Sequence, residues 1–215
     1  MSNRVGTSLR RSAIMLLVAG IGVVGSASAA LIDRGGGLIY DDDLNITWLQ
    51  DANYARTSGH DADGRMTWAQ AMAWAANLVY GGFDDWRLPT ALNQDGTGPC
   101  FGLNCANSEM GHLYYTELGN AAGAAVINAG PFINLQLDVY WSSTENAGDP
   151  DAAWDFFFRD NGDGGLQGFT LKDGNLFAFA VRTGDVGAAA VSEPASLLLL
   201  GLGALGLGWA HRRRL

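Results

Sequence analysis

The densest concentration of possible metal ligands in this chain lies between Asn146 and Asp163. Asp149, Asp151, Asp155, Asp160 and Asp163 fall within fifteen residues, with Asn146 and Asn161 beside them and only Arg159 to offset the charge. Calcium takes about six to eight hard oxygen ligands, and the Asp-Asn-Gly-Asp-Gly turn at 160–164 has the backbone propensity of a calcium loop. Asp160, Asn161 and Asp163 are therefore the candidate calcium ligands. The spacing does not fit an EF-hand, which needs Asp-x-Asp-x-Asp-Gly and a distal Glu. Nor does the chain contain the Glu-Pro-Asn triplet of sugar-binding lectin loops. A solvated acidic turn is the competing reading. The residues suggest no cofactor other than calcium.

Other reactive side chains are few. The two cysteines, Cys100 and Cys105, sit in a Gly-rich segment, and in an exported protein such a pair reads as a disulfide clip that fixes a local turn. A thiol site would need a redox spacing or a close histidine, and neither is present. His60 and His112 stand outside any metal or triad motif, and no Gly-x-Ser-x-Gly elbow occurs. The expectation is a protein that is not an enzyme. Among seven tryptophans, Trp74 and Trp154 are the candidates for an exposed platform on which a sugar ring could stack.

Positioning these groups falls to a single α+β domain. Leu38–Tyr40 and Thr47–Leu49 read as short strands around the acidic turn 41–45. Thr67 and Gln70 form a capping box, Trp68, Ala71, Ala75 and Leu78 recur at helical spacing, and Gly81-Gly82 stops that helix. A second helix is expected over 108–118. Beyond it, runs at 140–143, 153–158, 168–171 and 176–182 carry aromatic and β-branched strand chemistry divided by Gly, Asp and Asn. Helices early and a mainly antiparallel sheet late argue against a βαβ repeat.

Several of these segments recur in order as a recognisable set. Gly37-Leu38-Ile39-Tyr40, Thr47-Trp48-Leu49-Gln50-Asp51-Ala52-Asn53-Tyr54, the run from Gly81 to Thr90 containing Trp86-Arg87-Leu88-Pro89, Tyr140-Trp141-Ser142-Ser143-Thr144-Glu145 and Ala180-Val181-Arg182-Thr183-Gly184-Asp185 together resemble the Lcl-C domain family. The resemblance covers nearly all of residues 37–186. It implies a C-type-lectin-like fold related to the formylglycine-generating enzymes, with ligands met by loops, and no catalytic residues to carry over. The motifs themselves read first as structure: Trp86 as a buried indole, Arg87 as the partner of some carboxylate, Trp141 as a core strand residue.

The two ends direct the protein outward. Arg4, Arg10 and Arg11 precede an apolar stretch from Ala13 to Val24, and Ala27-Ser28-Ala29 suits signal peptidase, giving a signal peptide over 1–29 and an ectodomain over 30–190. The tail, 191–215, resembles a PEP-CTERM sorting signal: Glu193-Pro194, an apolar run from Ala195 to Ala210, then Arg212, Arg213 and Arg214. That run is about 24 Å long as a helix, short of the roughly 30 Å hydrocarbon core, and the arginines hold its end in the cytoplasm. An exosortase-type enzyme is the implied partner, with the inner membrane a transient one. Ser192 stands where this signal usually has proline, which leaves a permanent anchor as the alternative to cleavage. Between the ends remain seven basic and twenty-one acidic residues, a net charge of −14. Such a surface repels phosphate backbones and excludes nucleic acid as a partner. The sequence therefore reads as an exported surface or matrix protein that binds a glycan, exopolysaccharide or surface protein. An unrecognised enzyme on the same scaffold is the alternative.

Overall fold

A computed structural model describes residues 31–124 and 127–187. The signal peptide and the sorting tail, including Glu193, Pro194, Arg212, Arg213 and Arg214, lie outside the described residues. Among those described, no helix is long and apolar enough to cross a membrane.

The chain opens with a three-stranded meander, β1 (Leu31–Gly35), β2 (Leu38–Asp41) and β3 (Ile46–Leu49), all antiparallel. The turn between β2 and β3 closes because Asp41 Oδ1 accepts the Leu44 N–H and Asn45 takes the left-handed conformation, φ 52°, that asparagine tolerates. A one-turn helix α1 (Tyr54–Thr57) and the two-residue strand β4 (Arg65–Met66) lead into α2 (Trp68–Ala76). The capping box is formed at both ends: Thr67 Oγ1 accepts the Gln70 N–H and Gln70 Oε1 accepts the Thr67 N–H. Ala71, Trp74 and Ala75 are its buried face.

The expected second helix is two elements. An α-helical turn α3 (Glu109–His112), capped by Ser108 Oγ on the Gly111 N–H, runs directly into a π-helical turn over Leu113–Glu117. Its signature is the Leu118 N–H donating to the Leu113 carbonyl, five residues back. Gly111 is required by close approach, because a Cβ there would overlap the Cys105 carbonyl.

Strands β5 (Val139–Glu145), β6 (Ala152–Phe157) and β7 (Gln167–Leu171) form an antiparallel ladder. The strand expected over 176–182 divides in two. β8 (Leu176–Phe177) lies between β4 and β5, whereas β9 (Val181–Thr183) closes the first sheet beside β3, so the orders are β1-β2-β3-β9 and β4-β8-β5-β6-β7. Buried Ala178, Phe179 and Ala180 carry the chain between the sheets. The fold is α+β with mainly antiparallel sheets, and the β5–β8 pair is the parallel exception.

The segments around Trp86-Arg87 and Trp141 are structural stitches. Trp86 is buried and Arg87 exchanges two backbone hydrogen bonds with Val181, while the Pro89 carbonyl accepts the Ser143 N–H and Thr144 Oγ1 accepts the Ala91 N–H. The Arg87 guanidinium grips Glu109 through two hydrogen bonds of 2.7 and 2.6 Å. Trp141 donates its indole N–H to the Met66 carbonyl and the half-buried Trp68 donates to the Ser142 carbonyl, so both indoles keep their polar handles paired.

Candidate functional site

The segment from Thr90 to Asn107 is held at three places. Glu109 Oε2 accepts the Thr90 N–H, Gln167 Nε2 donates to the Ala91 and Cys100 carbonyls, and Gly102 pairs with Gln167 through the backbone. Cys100 and Cys105 are joined, S–S 2.02 Å, with Cys105 buried. Four of the six polar or charged walls of an adjoining cleft come from this segment. Thr90, Asn93, Gln94 and Asn107 line it with Asp43, Glu109 and the aliphatic Leu44 and Leu92, enclosing ≈ 430 Å³. That volume lies in the range of small-ligand sites. Glu109 is already committed to Arg87 and the Thr90 N–H, and the Thr90 hydroxyl to Thr144 and the Leu92 N–H, leaving the three amides and Asp43 as the available hydrogen-bonding surface.

Behind the Asp43 wall lies a buried polar group that sequence spacing did not reveal. Asp41, at the end of β2, is fully buried, with Oδ1 on the Leu44 N–H and Oδ2 without a hydrogen-bond partner. His112 Nε2 stands 3.2 Å from Glu117 Oε1 and 3.6 Å from Asp43 Oδ2. Residues five apart would point about 140° apart on an α-helix of 3.6 residues per turn. The π turn realigns them. Burial, opposed by the Leu44 N–H and by His112, raises the Asp41 carboxyl above its ordinary value. Burial and the nearby Asp41 do the same to Glu117, against the pull of His112. The Trp48 indole N–H also faces Asp41 without completing a hydrogen bond, and so is orphaned.

The residues singled out from the sequence fare differently. Trp74 and Trp154 do not form an open platform, being 4% and 8% exposed. Trp74 is on the core face of α2. Trp154 lies under Phe101 and Phe169, its ring centroid 6.4 and 5.7 Å from theirs. Those phenylalanines, 67% and 46% exposed, are the aromatic surface that solvent meets. Both are hydrophobic residues at positions whose exposure no local pattern signals.

The acidic segment is not one loop. Asp149 and Asp151 precede β6 and Asp160 and Asp163 follow it, so the six residues of β6 hold the two groups roughly 20 Å apart. Asp155, in the middle of β6, is fully buried, and burial pushes its carboxyl up to about 6. Asp160 and Asn161 are exposed, while Asp163 Oδ2 lies 3.3 Å from Arg159 Nη1. Asp163 Oδ1 is buried without a partner. His60 is exposed and far from this chemistry in sequence. Among the described residues, the group of His, Cys, Asp and Glu side chains that converges within 4.8 Å is Asp41, His112 and Glu117.

The profile of the Lcl C-terminal domain matches residues 37–182. The chain belongs to the Lcl C-terminal domain family. In this Lcl C-terminal domain the matched span runs from the end of the β1–β2 turn into β9, and so contains the cleft, the disulfide loop and the buried group. The PEP-CTERM protein-sorting motif matches residues 190–214. No curated protein matches the chain. The sorting motif makes the protein an exported one that passes through membrane anchoring and is recognised by an exosortase-type sorting enzyme.

Proposed function

We propose that this Lcl C-terminal domain is a binding module of the cell surface or extracellular matrix that recognises a neutral or amino-sugar polysaccharide in the amide-lined cleft, and that it is not an enzyme. The observation that carries the reading is the wall chemistry. Asn93, Gln94 and Asn107 offer donors and acceptors together, and Leu44 and Leu92 supply apolar surface. Sugar rings present alternating hydroxyls and C–H faces, which is what such a wall complements. The net charge of −14 between the targeting ends sets the specificity, because uronate-rich chains would be repelled. Commitment of Glu109 to Arg87 removes it as a free acid or base, which favours binding over catalysis.

A glycan array probed with the exported protein tests this. Binding should concentrate on neutral or amino-sugar polymers and fall at least about tenfold, roughly 1.4 kcal/mol, in Asn93→Ala and Asn107→Ala. Signal that survives both substitutions, or that selects anionic glycans, would move the ligand away from the cleft.

A further inference from the structure

We propose that Asp41, His112 and Glu117 bind a divalent transition-metal ion, zinc by ligand chemistry, with Asp43 completing the set on the solvent side. The first argument is distance. With Zn–N and Zn–O bonds of about 2.0 to 2.2 Å, ligand atoms around a tetrahedral zinc stand roughly 3.4 Å from one another. His112 Nε2 lies 3.2 Å from Glu117 Oε1 and 3.6 Å from Asp43 Oδ2, and the Asp41, His112 and Glu117 donor atoms fall within 4.8 Å of one another. Closing the 4.8 Å bound to the tetrahedral separation takes a movement of at most about 1.4 Å, within reach of a carboxylate rotation.

The second argument is the orphaned oxygen. Asp41 is fully buried, its carboxylate reaches the group, and its Oδ2 accepts no hydrogen bond, a costly state that a metal bond relieves. The unpartnered Trp48 N–H behind it can then orient the carboxylate as an outer hydrogen-bond donor. The third is charge. Three carboxylates surround one imidazole, and none of the arginine or lysine ion pairs among the described residues reaches them. The fourth is the π turn, a local departure from the α-helix that brings Glu117 onto His112. An imidazole among carboxylates selects zinc-like ions, since calcium and magnesium prefer oxygen alone. Bound there, the ion ties the β2–β3 turn to the π turn and fixes Asp43, which is also a cleft wall. The site stands whether or not the cleft takes a glycan.

The test is a titration of the chelator-treated exported protein with Zn²⁺ by calorimetry and with Co²⁺ by visible absorption. One equivalent should bind, with the visible bands of tetrahedral Co²⁺, and excess calcium should not displace it. Co²⁺ should broaden the His112 ring resonances in the unmodified protein, a readout that needs no variant. Asp41→Asn and Glu117→Gln should each abolish uptake, and Trp48→Phe should weaken it about 10- to 100-fold. Absence of a stoichiometric ion in the unmodified protein, or His112 resonances that ignore Co²⁺, would overturn the proposal. So would undiminished binding in both carboxylate variants.

Discussion

The Asp41–His112–Glu117 group and the Asp160–Asn161–Asp163 turn carry much the same atoms in opposite physical circumstances. In the first, side chains 71 and five residues apart in the chain are driven together by a strand end, a helical turn and a π turn, and water is excluded. In the second, neighbours in sequence spread into solvent, and the one ion pair formed is a 3.3 Å contact with Arg159. Density of ligand types along a sequence measures local composition. Density in space, with desolvation, decides whether those ligands have any reason to hold something.

The largest effect that separates the two regions is removal of the imidazole from the buried group. His112→Leu takes away the imidazole that the Asp41 and Glu117 carboxyls share, and should cost about 3 to 5 kcal/mol in denaturant unfolding. Asp160→Ala should stay within about 0.5 kcal/mol. Equal effects would erase the distinction.

A second prediction concerns the one acidic residue of the later segment that is itself buried. Asp155 has a folded carboxyl near 6 against 3.8 for the ordinary group, raised by burial; Thr170, Arg159 and Gly168 oppose the shift, yet neither oxygen completes a hydrogen bond of good geometry. Below pH 3.8 both folded and unfolded chains hold the proton, and Asp155 costs nothing electrostatically. Between 3.8 and about 6 the unfolded chain releases the proton that the native state keeps, so stability falls as pH rises. Above that the penalty is constant, at about 3 kcal/mol. Asp155→Asn should therefore stabilise by up to about 3 kcal/mol at pH 7 and do little at pH 3.5. Melts of the two proteins at both values check it, and an equal gain at both would assign the effect to packing.

How far such sites were legible follows from the same contrast. Thr67 and Gln70 announced α2 because a capping box is local, and Leu38, Trp48, Trp141 and Phe156 announced strands because they sit in short aromatic and β-branched runs bounded by Gly, Asp and Asn. The paired cysteines were legible from compartment and spacing. The strand over 176–182 was read as one element because its apolar run is continuous, yet Ala178–Ala180 cross between sheets, which only tertiary packing dictates. The two-residue β4 has no periodicity to detect. The Arg87 partner could have been any of twenty-one carboxylates. His112 and Glu117 escaped notice because a five-residue spacing belongs to no α-helical face. Burial of Trp154 under Phe101 depends on where the disulfide loop folds over β6 and β7.

The disulfide loop sharpens the comparison from another side, being a Gly-rich turn like 160–165 but covalently closed. Closing so short a loop removes about 2 kcal/mol of unfolded-chain entropy. Cys100→Ser with Cys105→Ser should lose roughly that much, with free-thiol labelling of the unreduced native protein negative beforehand. A loss near zero would mean that Gln167, through its bonds to Cys100 and Ala91, already fixes the loop.

The smallest expected effect is the response of the acidic turn to calcium. Asp163 offers one orphaned oxygen, Oδ1, and its other oxygen faces Arg159, which a cation would have to displace. Asp160 and Asn161 are hydrated and lose water on binding, so two carboxylates and an amide must replace hydration for an ion that takes about six to eight oxygens. Were the turn an open extracellular site with a dissociation constant of about 1 mM, 5 mM calcium would add about 1 kcal/mol and raise the melting temperature by about 2 to 4 °C. The geometry argues for less, a shift under about 1 °C, unchanged by Asp163→Asn. A rise of several degrees that Asp163→Asn abolishes would break the comparison, showing that a solvated turn gathers ligands on demand as well as the buried group does by folding.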